Sequence, residues 1–174
     1  MLTQAKKEFI EFMMSCDVLR FGDFVTKSGR RTPYFVNTGL YRTGAQIAKL
    51  GDFYAACVKE TCGEEFDAMF GPAYKGIPLA VAAASSLYRN YGRDLPYCFN
   101  RKEAKDHGEG GMMVGYKPQA GDRVVIVEDV VTAGTAVREI LAFLHNREID
   151  GRVYIDDAMK ARMEAYLAEY GPRA

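Results

Sequence analysis

The sequence predicts an α/β fold in which a mainly parallel sheet is flanked by helices. Short apolar runs at 67–71, 97–100 and 123–127 alternate with segments whose apolar residues have helical spacing. The first and third of these runs end in turns that lead directly into a helix pattern. Parallel strands need such crossover connections, so we expect helices on both faces of the sheet and a ligand site at the carboxyl ends of its strands.

The N-terminal part predicts one helix followed by a hairpin. Residues 18–26 have the pattern of a strand, 27–30 that of a turn, and 32–37 that of the partner strand. Thr3 is suited to cap the helix, whose apolar stripe consists of Phe9, Ile10, Phe12 and Met13.

The rest of the chain supplies the alternating elements. An alanine-rich helix at 78–91 begins with proline, which is favoured in the first turn of a helix. Residues 101–115 are polar and contain several glycines, which predicts a long loop, and a helix follows the strand at 123–127. A further helix at 157–170 precedes Gly171-Pro172. Helical spacing marks two apolar stripes, which are Ile47, Leu50, Tyr54 and Cys57, and Met159, Met163, Tyr166 and Tyr170. With no internal repeat or evident linker, residues 1–174 predict a single domain.

Composition and charge argue against several classes of protein. The 23 basic and 23 acidic residues balance, so no basic surface indicates binding to nucleic acid or to an anionic membrane. Four cysteines without a C-x-x-C pair, and only two histidines, make a zinc site improbable. The longest apolar run, 77–87, is too short to span a bilayer, and the N-terminus has no signal-peptide pattern. We therefore expect a cytoplasmic protein with reduced cysteines.

The stretch 124–136 is the most informative feature of the chain. An apolar strand ends at two adjacent carboxylates, Glu128 and Asp129, and a Thr-Ala-Gly-Thr turn then begins a helix. The N–H groups of a helix N-terminus bind anions, so residues 132–135 are suited to hold a phosphate. Carboxylates beside a phosphate turn indicate a phosphorylated sugar that is bound together with Mg²⁺. The sequence has neither a G-x-x-x-x-G-K-[ST] nor a G-x-G-x-x-G nucleotide motif.

Two other segments place cations near an anion. The stretch 71–78, Gly-Pro-Ala-Tyr-Lys-Gly-Ile-Pro, is a second junction from strand to helix, and Lys75 lies beside its backbone N–H groups. The stretch 100–111 contains Arg101, Lys102, Lys105 and His107 together with three glycines. Such a loop is typical of a functional lid, and its cations are suited to a polyphosphate, to which His107 is suited to donate a hydrogen bond or proton.

Adjacent aromatics on the hairpin suggest a place for a flat ring. Tyr34 and Phe35 follow the Lys27-Ser-Gly-Arg turn, and side chains alternate along a strand, so that one of them is expected to face the core and the other a pocket.

These motifs together resemble the orotate phosphoribosyltransferase family of type I phosphoribosyltransferases, from the first helix to about Arg138. The Asn-Arg-Lys-Glu-Ala-Lys-Asp-His string at 100–107 is the part that distinguishes this family from purine and uracil phosphoribosyltransferases. The resemblance implies the type I fold with a small N-terminal hood. It also implies Mg²⁺-dependent transfer from 5-phosphoribosyl-1-diphosphate (PRPP) to orotate, giving orotidine 5′-monophosphate and diphosphate. It further implies a homodimer in which lid cations reach the neighbouring site.

The resemblance also assigns residues. Mg²⁺ would be held mainly through PRPP, with Lys102, Lys105, His107 and Asp129 in catalytic roles. Orotate would contact Tyr34, Phe35 and Thr132. PRPP would contact Lys27, Tyr74, Lys75, Arg101, Lys102, Lys105, His107, Glu128, Asp129, Val130, Val131, Thr132, Ala133, Gly134, Thr135 and Ala136.

The chain departs from the family pattern near Ile140. A strand–helix–strand portion, including an Asp-Arg whose arginine would hold the carboxylate of orotate, has no counterpart, and Ile140 leads directly into a stretch that resembles the family's C-terminal tail. We expect Arg147 and Arg152, in a polar connector, to be solvated rather than to replace that arginine. We also expect the missing strand to uncover apolar surface beside Val124 to Val127.

Two alternatives to an active enzyme remain open. A regulatory protein that senses PRPP on the same fold would keep the 124–136 stretch without turnover, although no DNA-binding extension is evident. An internally shortened enzyme would bind PRPP and turn over poorly.

Overall fold

The computed structural model of the chain describes residues 3–26, 29–105, 111–131, 134–154 and 157–170. A five-stranded sheet has the order β5-β4-β3-β6-β7. All neighbouring pairs are parallel except β4 and β5, which are antiparallel. The strands span Ala68–Gly71 (β3), Tyr97–Lys105 (β4), Gly111–Gly115 (β5), Arg123–Ile126 (β6) and Asp150–Arg152 (β7). The predicted α/β class with a mainly parallel sheet is confirmed.

Helices cover both faces of this sheet. On one face α2 and α3 pack on Met69, Val125 and Val127, and on the other Ile140 and Leu144 of α4 pack on Phe70. Among the described residues, the α-helices are Gln4–Ser15 (α1), Gly44–Cys62 (α2), Gly76–Tyr91 (α3), Thr135–His145 (α4) and Asp157–Tyr170 (α5). The side chain of Thr3 accepts a hydrogen bond from the N–H of Lys6, so the predicted cap of α1 is confirmed. Within the described ranges, no helix has the length and apolar character that a membrane crossing needs.

The predicted hairpin forms a separate two-stranded sheet. Strands β1 (Leu19–Val25) and β2 (Arg31–Val36) pair antiparallel. A short 3₁₀ helix, Thr38–Leu40, follows directly and leads the chain back towards the main sheet. This hairpin is the hood that the resemblance implied.

The predicted loop at 101–115 is wrong over most of its length. Strand β4 continues to Lys105, and β5 begins at Gly111 and pairs with it, with Asn100 opposite Met113. The two strands form a ribbon that depends on backbone hydrogen bonds, because residues 101–103 are charged and at least partly exposed. Residues 101–103 are three charged residues in succession and show no alternation of apolar and polar positions, which is why the pattern did not reveal that β4 continues.

The expected gap beside β6 is filled. Within the predicted polar connector, α4 runs to His145, and β7 pairs parallel with β6, with Gly151 opposite Val124. Residues 124–127 are therefore buried, each at most 7% exposed, and the expectation of uncovered apolar surface is wrong. A Cβ on Gly151 would lie 2.8 Å from Leu144 Cδ1, so a larger residue here would displace the end of the Leu144 side chain.

Candidate active site at the carboxyl end of the sheet

The two strand–helix junctions that the sequence indicated lie side by side. Strands β3 and β6 are parallel neighbours, with Phe70 opposite Ile126, so the segments that follow them leave the same edge of the sheet. Lys75 follows β3 and Asp129 follows β6, and Lys75 Nζ lies 3.2 Å from Asp129 Oδ2. A cation and a carboxylate from separate motifs thus meet in one site.

The Asp129 carboxylate is largely buried and well supplied with donors. Its side chain is 12% exposed. The hydroxyl of Thr38 donates to Oδ2 at 2.5 Å. Burial alone would raise the pKa of Asp129, but hydrogen bonds from Thr38, Glu128 and Lys75 outweigh it and hold this pKa below its usual range. Asp129 is therefore the ionised member of the acidic pair.

Glu128 has the opposite character. Burial, and then its hydrogen bond with Asp129, raise the pKa of Glu128 to about 7. The N–H of Asp129 donates to Glu128 Oε1 at 3.1 Å, and the hydroxyl of Tyr54 on α2 donates to the Glu128 carbonyl at 2.8 Å. The pair thus offers a carboxyl that can carry a proton beside a carboxylate. Such a pair is suited to the vicinal hydroxyls of a ribose, which both donate and accept hydrogen bonds.

The loop after β3 packs its backbone closely. A Cβ on Gly71 would overlap the carbonyl oxygen of Gly76, so only glycine lets the loop close in this way. The N–H of Ala73 donates to Asn100 Oδ1 at 2.9 Å, which ties the loop to β4.

Cations border this loop on two sides. Lys75 is 60% exposed, and its ammonium group is accessible to a ligand. Lys102 Nζ lies 4.9 Å from the ring centroid of Tyr74, and Tyr74 is itself exposed. Arg101, at the same end of the ribbon, is partly exposed. These charges are suited to a diphosphate at the edge of the loop.

The phosphate turn leads into α4 as predicted. Gly134 has a φ of 70°, in the left-handed region, and no side chain caps the helix that begins at Thr135. Val130 and Val131 precede the turn, and Ala136 lies in the first turn of α4. The N–H groups of this helix start are therefore not capped by a side chain and are suited to an anion such as a phosphate. Lys27, His107, Thr132, Ala133 and the side chains of Lys105 and Thr135 lie outside the described residues.

The two hairpin aromatics differ in their surroundings. Tyr34 lines a cavity of about 740 Å³ together with Glu128 and Asp129. Phe35 instead packs on Phe24, with ring centroids 5.6 Å apart. Tyr34 is 44% and Phe35 is 47% exposed, so neither faces the core, and the prediction that one of them would is wrong. The hairpin stands clear of the sheet, and only Tyr34 is placed on the cavity.

The arginines that line this cavity are ones for which the sequence indicated no role in the site. Arg147 donates to the Phe143 carbonyl and Arg152 to Asp150, so neither reaches the cavity, as expected. Arg30 and Arg162 line it instead. Arg30 lies 5.2 Å from the ring centroid of Tyr166 on α5, and its buried Nε has no hydrogen-bond partner among the described residues. Sequence patterns gave no sign of this, because the contact joins the hairpin to the last helix.

The residues present are compatible with a cation that arrives with the substrate. In the described part of the chain, no cluster of three or more His, Cys, Asp or Glu side chains is arranged to hold a metal ion. Glu128 and Asp129 are hard oxygen donors of the kind that Mg²⁺ prefers, but the Lys75 ammonium already contacts Asp129. This arrangement fits an ion that is coordinated mainly by diphosphate oxygens.

Comparisons with known proteins agree with this geometry. A family profile described as a phosphoribosyl transferase domain matches residues 38–154. The orotate phosphoribosyltransferase of Lachnoclostridium phytofermentans is 42% identical over 225 aligned residues, which cover 99% of this chain and 100% of the relative. This alignment is longer than the 174 residues of the chain, so the relative carries residues that the chain lacks.

Two further comparisons concern part of the chain and the fold. The orotate phosphoribosyltransferase of Yersinia enterocolitica is 59% identical over 140 residues, which cover 80% of this chain and 64% of that protein. The crystal structure of the Francisella tularensis orotate phosphoribosyltransferase superposes with a TM-score of 0.73 at 32% identity, over 98% of this chain and 99% of the other.

Proposed function

The chain belongs to the orotate phosphoribosyltransferase family, and we propose from this membership how its site performs the transfer. The enzyme moves the 5-phosphoribosyl group of PRPP to orotate, giving orotidine 5′-monophosphate and diphosphate in pyrimidine biosynthesis. The observation that carries the assignment of the site is the meeting of Lys75 and Asp129, 3.2 Å apart, beside the phosphate turn.

Different parts of the two substrates bind at the junction after β3, at the junction after β6 and at the hairpin. The 5-phosphate of PRPP accepts hydrogen bonds from the N–H groups of the turn at 130–136, and the ribose hydroxyls contact Glu128 and Asp129. The diphosphate binds to the loop that contains Tyr74 and Lys75. Its charge is neutralised by the cationic side chains of Lys27, Arg101, Lys102 and Lys105. The orotate ring lies against Tyr34, with Thr132 as a second contact, and Phe35 supports the hairpin by its packing on Phe24. The proximity of Tyr34, Glu128 and Asp129 around one cavity supports this division.

The reaction breaks one bond and forms one. The bond between C1 of the ribose and the diphosphate oxygen breaks, and diphosphate leaves with the electron pair while positive charge develops on the ribose. Orotate N1 then forms the new bond to C1, and its proton passes to solvent or to the departing diphosphate. Since N1 needs little activation, catalysis is mainly positioning and stabilisation of charge. Asp129 lies where it stabilises the ribose cation, and Lys102, Lys105 and His107 neutralise or protonate the diphosphate.

Mg²⁺ belongs to this proposal as the partner of PRPP. When bound, it neutralises diphosphate charge and makes the group a better leaving group. Glu128 and Asp129 are the residues that would lie next to it.

We also propose a homodimer in which the ribbon acts on the neighbouring site. Exposed apolar side chains recur along α3 and the loop before it, at Tyr74, Val81 and Tyr88. Exposed apolar side chains at one-heptad spacing are suited to an interface between subunits. Lys105, at the end of β4, and His107, two residues later in the sequence, would reach the partner's diphosphate in this arrangement. Within each subunit, residues 1–174 form a single domain, and four free cysteines support a cytoplasmic location.

The function is tested by product formation. We expect orotidine 5′-monophosphate and diphosphate in equal amounts from orotate, PRPP and Mg²⁺, and no nucleotide when adenine replaces orotate. Chromatography of the mixture with mass detection measures both products. Binding of PRPP without any orotidine 5′-monophosphate would instead favour the regulatory alternative.

A further inference from the structure

Thr38 makes contacts that its position in the sequence does not suggest. It lies in the 3₁₀ helix after β2, outside every motif that indicated a substrate contact. Its hydroxyl donates to Asp129 Oδ2 at 2.5 Å and accepts from Lys75 Nζ at 3.0 Å. One hydroxyl therefore bridges the carboxylate that follows β6 and the ammonium that follows β3.

The hydroxyl is not needed for the turn in which it lies. The side chain of Asn37 caps the 3₁₀ helix by accepting from the N–H of Gly39 at 3.2 Å. The N–H of Asn37 donates to the Val18 carbonyl at 2.8 Å, which fixes the turn to the base of the hairpin. The turn is thus stabilised by hydrogen bonds of Asn37, and the Thr38 hydroxyl bonds to Asp129 and Lys75 instead.

We propose that Thr38 is a positioning residue: its hydroxyl orients the Asp129 carboxylate for the ribose and holds Lys75 beside it until the diphosphate of PRPP draws the ammonium away. This inference rests on the proposed function of the site. Strand β2 carries Tyr34 and ends at Val36, and Thr38 lies only two residues beyond that end. The hydrogen bond from Thr38 to Asp129 therefore connects the hairpin that carries Tyr34 to the carboxylate assigned to the ribose of PRPP.

The role proposed for Thr38 can be measured through the pKa of Asp129. The groups that face Asp129 are Lys75, from the loop before α3, Glu128, its neighbour, and the hydroxyl of Tyr54, from α2. Thr38 supplies a hydrogen bond that favours the ionised carboxylate. Removing the hydroxyl should raise the pKa of Asp129 and loosen its orientation at the same time.

The test compares two substitutions of similar size. Thr38→Val removes the hydroxyl and keeps the shape, and Thr38→Ser keeps the hydroxyl. We expect the Kd for Mg²⁺–PRPP, measured by calorimetry, to rise about tenfold in Thr38→Val and to stay within about twofold in Thr38→Ser. We expect carbon NMR of the free protein to show a higher pKa for the Asp129 carboxyl in Thr38→Val alone.

A double-mutant cycle with Asp129→Asn completes the test. Thr38→Val should have little further effect once Asp129 is changed, because the residue acts through that carboxylate. Fully additive effects, equal loss in Thr38→Ser, or a Thr38→Val protein that does not fold would each overturn the proposal. The NMR titration requires neither orotate nor turnover, so failure of the proposed transfer would be seen separately, as absence of orotidine 5′-monophosphate from the wild-type protein.

Discussion

At the scale of single residues, the site contains two adjacent carboxyls whose pKa values are shifted in opposite directions. Asp129 is kept ionised by Thr38, Glu128 and Lys75, whereas burial favours the neutral form of Glu128. For Asp129→Asn we predict loss of at least tenfold in affinity for Mg²⁺–PRPP, because a charge-assisted contact to the ribose is removed. Calorimetric titration measures this, with Asp157→Asn, in the exposed first turn of α5, as the matched control. Equal affinities for Asp129→Asn and wild type would remove Asp129 from the site.

Glu128 makes stability depend on pH. Its pKa is about 7 in the fold against an ordinary value of 4.5, so the fold favours the protonated form. The stability that this group contributes is complete below pH 4.5 and is lost as the pH rises through 7. Glu128→Gln mimics the protonated form. We predict that its advantage in free energy of unfolding over wild type grows across this range, to about 1–2 kcal/mol after solvent screening of a part-exposed group.

Urea denaturation at pH 5 and pH 8 checks the prediction. Glu60→Gln, at an exposed position on α2, is the control and should show no such trend. A Glu128→Gln protein whose advantage is the same at both pH values would mean that Glu128 is charged throughout.

At the scale of elements, the loop between β3 and α3 is shaped by its glycines. We predict that Gly71→Ala lowers the free energy of unfolding by about 1–3 kcal/mol, because the new Cβ meets the backbone of Gly76. It should also weaken PRPP binding, since the loop that carries Lys75 must shift. Gly44→Ala is the control, because a Cβ on Gly44 meets nothing within 4 Å. Unchanged PRPP affinity in Gly71→Ala would show that the loop does not hold the diphosphate.

The elements also show what a sequence can predict. Junctions with an apolar strand, a turn and a helix start were predicted correctly at 67–78 and 123–140, because each signal is local. The part of β4 beyond Asn100, strand β5 and the short strand β7 were missed, since none of these segments alternates apolar and polar residues. Thr38 and Arg30 were missed for another reason. Thr38 is 91 residues from Asp129, and only the fold brings such residues together.

At the scale of the whole molecule, the proposed dimer predicts complementation between inactive subunits. Lys105→Ala and Asp129→Asn should each abolish most turnover when prepared alone. In a mixed dimer, one site takes its carboxylate from the first subunit and its ribbon from the second, both unmutated. We predict partial recovery of turnover on mixing, measured after subunit exchange has been confirmed by native mass spectrometry. No recovery in confirmed mixed dimers would mean that the ribbon serves its own subunit.

Under the proposed function, the shortening near Ile140 affects the binding of orotate more than the binding of PRPP. The residues assigned to PRPP lie before 137, on elements that the shortening near Ile140 leaves in place. Strand β7 occupies the edge of β6, but Arg152, at its end, is paired with Asp150 and does not face the cavity. Arg152 therefore does not replace the arginine that, by the family resemblance, would hold the carboxylate of orotate.

The most direct measurement is the affinity for orotate in the presence of diphosphate, before and after a family-like strand–helix–strand insert is restored at Ile140. A charge-assisted contact of this kind contributes about 1.5–3 kcal/mol, so we predict that the insert strengthens orotate binding roughly ten- to a hundredfold. The affinity for Mg²⁺–PRPP, titrated on the same two proteins, should remain within about twofold. Equal orotate affinities would contradict this division of the site, and would show that Arg30 or Arg162, which line the cavity, already holds the carboxylate.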